Sequence, residues 1–147
     1  MSLTEEVEAL RNITLFSSLD ESKLKLLAFT SEWITYQADE VLCKEGEKGE
    51  DAYVIMEGDV DIYVDSGDGQ LLVTSHGAGE IVGETAIVCD VPRTATVVAR
   101  NELVVLKITK DVFMQLLEGC PEVAIAVIRE LALRVNDGVR MALRGSG

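Results

Sequence analysis

Residues 51–76 read DAYVIMEGDVDIYVDSGDGQLLVTSH, and this stretch predicts the fold because apolar and polar residues alternate along much of it. The alternation is clearest in DVDIYV, where Val60, Ile62 and Val64 occupy every second position. Successive side chains of a strand point to opposite faces, so these three share one face. The DSGDG that follows has the composition of a hairpin turn. The stretch therefore predicts consecutive antiparallel strands with one buried face.

Similar short runs lie on both sides of this stretch. Between residues 32 and 109 the chain contains eight strand-like runs interrupted by Gly, Asp and Ser: EWITYQ, EVLCKEG, DAYVIMEG, DVDIYVDSG, QLLVTSHG, EIVGE, RTATVVAR and ELVVLKIT. Eight short strands at regular spacing are typical of a jelly roll. We therefore predict a mainly β protein, with an eight-stranded antiparallel jelly-roll barrel over residues 31–109.

Helical periodicity flanks the predicted barrel. Residues 3–30 have apolar residues at helical spacing and predict N-terminal helices, with Asp20 as the cap of the second helix. Residues 110–143 predict two C-terminal helices, of which the long one starts at Pro121. We interpret residues 1–147 as a single domain.

The last four residues and the long helix carry two further expectations. We interpret RGSG at 144–147 as a terminal scar or a truncation point. The long helix has an apolar stripe close to a heptad seam, formed by Ala124, Val127, Ile128, Leu131, Val135, Val139 and Ala142. Two interpretations of the stripe stand side by side: it packs on the barrel, or part of it pairs with another subunit.

Composition limits the classes of function. The net charge is −13, which argues against direct contact with nucleic acid, because phosphate contacts need a basic face. No apolar run is long enough to span a membrane, and the acidic N-terminus is unlike a secretory signal. Cys43, Cys89 and Cys120 are far apart and predict free thiols. We expect a soluble, cytoplasmic protein.

Residues suited to catalysis or metal binding are scarce. His76 is the single histidine, lies in TSHGAG and is interpreted as a solvated turn residue rather than a base. The glycines of GAGEIVG do not have dinucleotide-binding spacing, and the chain contains neither GKS nor GKT. No cluster of metal ligands is present in the sequence. We therefore predict no enzymatic activity and no cofactor.

The segment VGETAIVCDVPRTAT, residues 82–96, combines groups that suit an anion. Gly83 permits close approach of the backbone, and the ETAIV that follows can form one helical turn with free N–H groups at its start. Arg93 offers a planar fork that matches phosphate oxygens. Glu84 can accept hydrogen bonds from sugar hydroxyls. The segment thus favours a ligand with one phosphate and adjacent hydroxyls.

A second interpretation of the same segment needs no ligand. Glu84 and Arg93 would form a buried ion pair that braces a loop. The residues of the segment alone leave both interpretations open.

This segment resembles the phosphate-binding cassette of cyclic nucleotide-binding domains. That family includes bacterial catabolite activator proteins, the regulatory subunits of cyclic AMP-dependent protein kinase, cyclic GMP-dependent kinase and cyclic nucleotide-gated channels. Upstream, CKEGEKGEDAYVIMEGDVDIYV is similar to an earlier signature of the family, with Gly46, Gly49 and Gly58 at its turns. The order of helices, barrel and helices also matches, and the resemblance covers nearly all of residues 5–143.

The resemblance implies a ligand, either cyclic AMP or cyclic GMP, and a set of residues that bind it. Arg93 would hold the exocyclic phosphate oxygens, and Glu84 the ribose 2′-hydroxyl. The phosphate and sugar would be surrounded by Gly83, Thr85, Ala86, Thr94 and Ala95. The base would lie against Ile62, Val73 and Ile81, and the helix from Pro121 would close over it.

Some positions depart from the family pattern. Thr85 stands where leucine or isoleucine is usual, Val82 where phenylalanine is frequent, and Ala52 where a larger apolar residue is common. These departures affect packing and coupling more than binding. Thr94 is similar to a threonine that favours cyclic GMP in some members, although other members with Thr or Ser there respond to cyclic AMP.

These observations predict a regulatory module without catalytic activity. It would sense cyclic AMP or cyclic GMP and transmit a conformational change through its C-terminal helix to an attached or partner effector. Residues 121–143 would form the surface for that effector or for a second copy in a homodimer. An alternative is a degenerate, ligand-blind domain that serves for oligomerisation or docking. A third is a DNA-binding regulator whose helix-turn-helix would lie beyond residue 147.

Overall fold

A computed structural model describes the chain from residue 2 to residue 145, without the side chains of residues 141, 142, 144 and 145. The expectation for RGSG at 144–147 therefore falls mainly outside the described residues, although the helical backbone extends to residue 145.

The described chain forms eight strands in two four-stranded antiparallel sheets. One sheet has the order β1-β8-β3-β6 and the other β2-β7-β4-β5. The strands are β1 (Glu32–Tyr36), β2 (Val41–Cys43), β3 (Asp51–Glu57), β4 (Val60–Asp65), β5 (Gln70–His76), β6 (Ile81–Val82), β7 (Thr96–Ala99) and β8 (Leu103–Thr109). This arrangement confirms the predicted eight-stranded jelly roll.

Helices flank the two sheets as predicted. Their bounds are α1 (Leu3–Arg11), α2 (Glu21–Thr30), α3 (Glu84–Val88), α4 (Lys110–Gly119) and α5 (Pro121–Gly145). The first helix is shorter than its apolar pattern, since it ends at Arg11 and a 3₁₀ turn follows at Thr14–Phe16. Asp20 caps α2, because its carboxylate accepts a hydrogen bond of 2.9 Å from the backbone N–H of Lys23.

The core has two layers that share the central strands. In β8, Leu106 and Ile108 pack with the helices, whereas Leu103 and Val105 pack between the sheets. All four side chains are fully buried. The period of two along a strand explains the division, and burial of both faces explains why this strand is apolar at almost every position.

Strand β5 lies at the edge of its sheet and pairs only with β4. The register of the pair shifts between Ile62 and Tyr63: Ile62 faces Thr74, but Tyr63 faces Leu72. Val73 falls at this irregularity and is 45% exposed. The middle of β5 is therefore exposed to solvent. The last residue of β5 and the first residues of β7 instead border a cavity of the domain.

Helix α5 divides the predicted apolar stripe between two faces. Val123 and Val127 are buried against the helix-side core layer, while Ile128, Val135 and Val139 are exposed. The packing interpretation therefore holds for part of the stripe, whereas pairing of the exposed part with another subunit stays a prediction. The side chain of Ala142, the last member of the stripe, lies outside the described residues.

The burial pattern predicts that truncating a buried leucine lowers stability far more than truncating an exposed one. Leu106→Ala should lower the free energy of unfolding by about 3 kcal/mol, because it leaves a cavity in a layer with no solvent contact. Leu26→Ala on α2 is the matched control: Leu26 is 62% exposed, and its loss should change stability by no more than about 0.5 kcal/mol. Urea denaturation of both variants measures the difference, and equal losses would contradict this assignment of the core.

Candidate functional site

The cassette segment leaves β6 through a left-handed residue. Gly83 has φ of +81° and directly precedes α3, the single helical turn predicted from ETAIV. Within the described chain no side chain caps the start of this turn. The segment then enters β7 at Thr96. Arg93 lies between the two elements, and its backbone N–H donates to the carbonyl oxygen of Glu47 at 2.7 Å.

The Arg93 side chain is buried, with 7% of the residue exposed. Its Nη1 donates to the carbonyl oxygen of Gly83 and its Nη2 to that of Asp51, both at 2.8 Å. The guanidinium carbon lies 5.9 Å from the centre of the Tyr53 ring, within the range of a cation–π contact. A guanidinium has five N–H donors, so three N–H groups beyond these two contacts can meet an anion.

Two glycines make room for this guanidinium. A Cβ at Gly83 would lie 2.6 Å from Arg93 Nη1, and the positive φ adds backbone strain for any other residue. A Cβ at Gly49 would lie 2.6 Å from the Cβ of Ala86 and 2.8 Å from Arg93 Nε. The resemblance placed Gly49 at a turn, and the structure adds a steric reason for the glycine.

Glu84 is buried, with 4% of the residue exposed, and its charge partner comes from the C-terminal helix. Arg134 Nη1 donates to Glu84 Oε1 at 3.1 Å, and Nη2 donates to Glu130 Oε1 at 3.2 Å and to the carbonyl oxygen of Ile81. The predicted alternative of a Glu84–Arg93 ion pair is therefore wrong. Arg93 instead donates to backbone carbonyls, and α5 supplies the cation that contacts Glu84.

Burial raises the pKa of Glu84 above its usual value, and the positive charges of Arg134 and Arg93 partly oppose the rise. Burial likewise raises the pKa of Glu130, again opposed by Arg134. Both carboxyl groups therefore depend on the same guanidinium for their ionised form. Removing that guanidinium would leave the buried Glu84 and the partly buried Glu130 without their main counter-charge.

Sequence reasoning missed Arg134. Val123, Val127, Glu130 and Arg134 recur at spacings of four, three and four, so they share one side of α5. The first two pack on the core. The next two contact β6 and α3, because both form hydrogen bonds with the backbone of Ile81 and Arg134 also contacts Glu84. The sequence does carry a signal for this contact, because Glu130 and Arg134 have opposite charges and continue the side of the helix that is apolar and buried. Oppositely charged residues at such positions predict an ion pair.

The predicted ligand residues surround one cavity of about 150 Å³. All seven cassette residues line it, and Ile62 of the predicted base wall does too. The other lining residues are Cys43, His76, Val82, Val97 and Arg134. The cavity is smaller than the roughly 300 Å³ at the lower end for ligand pockets, and Arg134 forms part of its boundary.

The structure does not bring the other two base-wall residues to this cavity. Val73 lies at the irregular position of β5 and does not line the cavity. Ile81 is 1% exposed and packs in the helix-side core layer. Thr74, rather than Val73, lies opposite Ile62 in the sheet.

His76 is not the solvated turn residue predicted from the sequence. It is the last residue of β5, pairs with the buried Val60, and has a side chain only 12% exposed. Its Nδ1 lies 3.4 Å from Glu80 Oε1. Burial lowers the pKa of His76, as does the charge of Arg134, while Glu80 acts in the opposite direction. The signal missed here was that β5 continues through TSH, which directs His76 inward with Val60.

Among residues 2–145, no group of three or more His, Cys, Asp and Glu side chains is placed to hold a metal ion. None of the helices in that part of the chain combines the length and apolar character that crossing a membrane requires.

Residues 33–120 match the family model of the cyclic nucleotide-binding domain. Among curated proteins, the chain is similar to the cAMP-dependent protein kinase regulatory subunit of Dictyostelium discoideum, with 35% identity over 97 residues, which is 65% of this chain and 30% of that protein. It is also similar to the lysophospholipase nte1 of Neurospora crassa, with 29% identity over 140 residues, which is 90% of this chain and 9% of that protein.

A solved structure with a similar fold belongs to a mutant regulatory subunit of a cAMP-independent protein kinase A from Trypanosoma brucei, bound to cAMP in the A site. It is 28% identical, covers 88% of this chain and 47% of that chain, and has a TM-score of 0.76. One of the three substitutions in that mutant introduces an arginine. The chain spans between 9% and 30% of the curated relatives it matches and about half of this subunit.

The contacts of Arg134 predict a pH-dependent loss of stability. At pH 7, Arg134→Met should lower the free energy of unfolding by about 3 kcal/mol, because Glu84 and Glu130 lose their cation. The pKa of Glu84 is already raised in the folded state, and this substitution raises it further. Stability should therefore fall as pH rises through that folded pKa, and the loss should shrink as pH falls to about 4.5, because the raised pKa values of both acids favour their protonated forms there.

Urea denaturation at both pH values tests this effect, and the exposed Arg129→Met on the same helix is the control. The double variant Glu84→Gln with Arg134→Met should recover part of the stability lost at pH 7. A loss that is equal at both pH values would contradict the ion pair.

Proposed function

The chain belongs to the cyclic nucleotide-binding domain family, and on that premise we propose that it is a regulatory module that binds cyclic AMP or cyclic GMP in the cavity beside Arg93 and Glu84. The single observation that carries the proposal is the buried Arg93 guanidinium. Two of its N–H groups are held by backbone carbonyls, and the group borders a cavity lined by small residues. A buried cation fixed in this way is prepared for an anion.

The phosphate contacts Arg93 in this proposal. Thr94 and Ala95 follow in the chain and line the same cavity, as do Gly83 and Ala86 from the other side of the segment. Small side chains leave room for phosphate oxygens, and the hydroxyl of Thr94 can donate to one of them. The T. brucei mutant of similar fold is bound to cAMP, which supports a cyclic nucleotide as the anion that reaches Arg93.

The ribose hydroxyl contacts Glu84. Arg134 engages only Oε1 of this carboxylate in the described contacts. A carboxylate has about four acceptor sites, so Glu84 can accept a hydrogen bond from a sugar hydroxyl and still bind Arg134. Burial raises the pKa of Glu84, which means that its ionised form benefits from each donor that reaches it.

Transmission to an effector would pass through Arg134. This side chain connects the sugar-binding carboxylate to α5, whose Val123 and Val127 pack on the core. A ligand that binds Glu84 and Arg93 changes the environment of Arg134, and α5 would shift if its two positions differ in ligand affinity. The proposal thus treats the Glu84–Arg134 contact as the connection between the cavity and the C-terminal helix.

The exposed side of α5 is the proposed surface for a partner. Ile125, Ile128, Val135 and Val139 are exposed on it, and Ala132 completes a spacing of three, four, three and four residues. This is the spacing of a two-stranded coiled coil. We infer that a second copy of the chain packs here, with an attached or separate effector as the other occupant of this surface.

An alternative of another class has its own supporting observation. The cavity is small, and Arg134 already contacts the carboxylate that a ribose would use. A degenerate, ligand-blind domain that serves for oligomerisation or docking would have these properties. Binding measurements separate the two functions, because the alternative requires no affinity for either nucleotide.

The remaining parts of the proposal concern catalysis and location. We assign no catalytic role to the chain, because the family to which it belongs is a ligand-binding domain. The lysophospholipase relative matches this chain over only 9% of its length, which is compatible with a binding domain inside a larger enzyme. We place the protein in the cytoplasm, where free thiols are the ordinary state of cysteine.

Titration calorimetry with cyclic AMP and cyclic GMP tests the proposed function. Arg93→Leu should weaken binding at least about 100-fold, because several charge-assisted hydrogen bonds worth roughly 1.5–3 kcal/mol each are lost. Arg100→Leu is the matched control, since Arg100 contacts Asp61 and does not line the cavity. No heat from the unmodified protein with either nucleotide, far above micromolar concentration, would overturn the proposal.

Sedimentation velocity tests the proposed second copy. The unmodified chain should sediment as a dimer, and Val135→Glu should shift it to a monomer, because a charge in an apolar seam opposes pairing. Phe29→Glu on α2 is the matched control, since Phe29 is also exposed but lies on a different helix. A monomeric unmodified chain would contradict this partner.

A further inference from the structure

His76 is a polar group in the cavity for which the proposed function gives no role. It lies at the end of β5 next to Glu80, on the inward side with Val60, and lines the cavity together with Ile62. Its side chain is 12% exposed, and one ring nitrogen, Nδ1, has a described contact with a carboxylate. Buried polar groups usually form hydrogen bonds, so the other ring nitrogen, Nε2, is expected to have a hydrogen-bond partner.

The charged residues that line the cavity follow one another in space, from Arg93 through Glu84 to Arg134. Arg93 acts on the pKa of Glu84, and Glu84 contacts Arg134. In the sheet, His76 pairs with Val60, and Val60 pairs with Ala99 at the end of β7, whereas Arg93 precedes Thr96 at the start of that strand. His76 therefore lies at the end of this series away from the phosphate-binding arginine.

The position of His76 along the cavity determines which part of a bound ligand it would face. This inference rests on the proposed function. With the phosphate at Arg93 and the ribose hydroxyl at Glu84, the third part of a cyclic nucleotide is its base. The base leaves the sugar away from the phosphate and so reaches the part of the cavity bounded by Ile62, His76 and Arg134.

The contacts of His76 indicate its protonation state. Burial and the charge of Arg134 both favour the neutral imidazole. In a neutral imidazole one nitrogen carries the proton and the other accepts. We assign the proton to Nδ1, because this atom lies 3.4 Å from a carboxylate oxygen of Glu80 that can accept a hydrogen bond from it. Nε2 is then a hydrogen-bond acceptor.

We propose that His76 selects the base of the ligand, accepting at Nε2 a hydrogen bond from the 6-amino group of adenine. A 6-oxopurine would present a carbonyl oxygen at the same place, and two acceptors cannot share a hydrogen bond. The chain then prefers cyclic AMP to its 6-oxo counterpart, in opposition to the modest preference for cyclic GMP suggested by Thr94. The selection acts on the base and leaves the phosphate and sugar contacts unchanged.

The proposal has a pH signature. A protonated His76 would donate at Nε2, so acid should weaken the preference for the 6-amino group and favour a 6-oxo group. The pKa of His76 is lowered from 6.5, so the change should occur below about pH 6.5. The charged groups around it are Glu80 on its own turn and Arg134, which contacts Glu84 of α3 and Glu130 of α5. These acids also titrate, so ligands must be compared on the same protein at each pH.

Three nucleotides isolate the contact: cyclic AMP, the cyclic monophosphate of unsubstituted purine riboside, and cyclic IMP. They share the phosphate and the sugar and differ at position 6 of the base. In titration calorimetry at pH 7.5, the unmodified protein should bind cyclic AMP roughly 3- to 10-fold more tightly than the unsubstituted purine. The discrimination against cyclic IMP should be larger and should decline at pH 5.5.

Two variants assign the preference to His76. His76→Leu should bind cyclic AMP and the unsubstituted purine with nearly equal affinity. His76→Gln keeps an acceptor that cannot titrate, so it should prefer cyclic AMP to the unsubstituted purine equally at pH 7.5 and pH 5.5, whereas its amide N–H groups can donate to a 6-oxo group and should weaken the discrimination against cyclic IMP. Circular dichroism checks that both variants fold, and His76→Gln provides the test if His76→Leu does not.

Each outcome has a distinct meaning. If the nucleotides bind but the preference for the 6-amino group persists in His76→Leu, the role of His76 is overturned and the proposed function stands. If the preference is absent from the unmodified protein, the role of His76 is again overturned. If no cyclic nucleotide binds the unmodified protein, the proposed function itself fails.

Discussion

The burial of one guanidinium group governs the ligand-facing side of this fold. Arg93 donates to the carbonyl oxygens of Gly83 and Asp51, so it joins the end of β6 to the start of β3. Its volume also explains two glycines, because a Cβ at position 49 or 83 would overlap its nitrogen atoms. The cassette is thus shaped around an arginine whose charge lacks a carboxylate contact among the described residues, and such a charge is stabilised by an anionic ligand.

A second buried charge connects this cassette to the C-terminal helix. Glu84 is as deeply buried as Arg93, yet it contacts Arg134 from a helix some fifty residues further along the chain. A buried carboxylate without a cation is strongly unfavourable, so the contact holds α5 over β6 and α3. The cavity and the helix therefore share one ion pair, because Glu84 and Arg134 both line the cavity and contact each other.

The same helix has one side that packs on the domain and another that is exposed to solvent. Val127 and Arg134 face the domain, and Ile128 and Val135 face away from it, because 3.6 residues per turn separate them around the helix axis. A chain with a net charge of −13 seldom leaves such an uninterrupted apolar row in water without use. The proposed transmission to a partner depends on this arrangement, since both surfaces belong to one helix.

The sequence by itself determined the elements and the cassette. The period of two predicted the eight strands and the period of 3.6 predicted the flanking helices, while the resemblance of the segment around Arg93 to a phosphate-binding cassette predicted seven of the residues that line the cavity. Local periodicity states which residues share a face, but it does not state what that face meets. Only the tertiary structure decided that Glu84 contacts Arg134 rather than Arg93, that His76 borders the cavity, and that a register shift removes Val73 from it. Those outcomes depend on how distant segments pack, and no pattern within one segment contains that information.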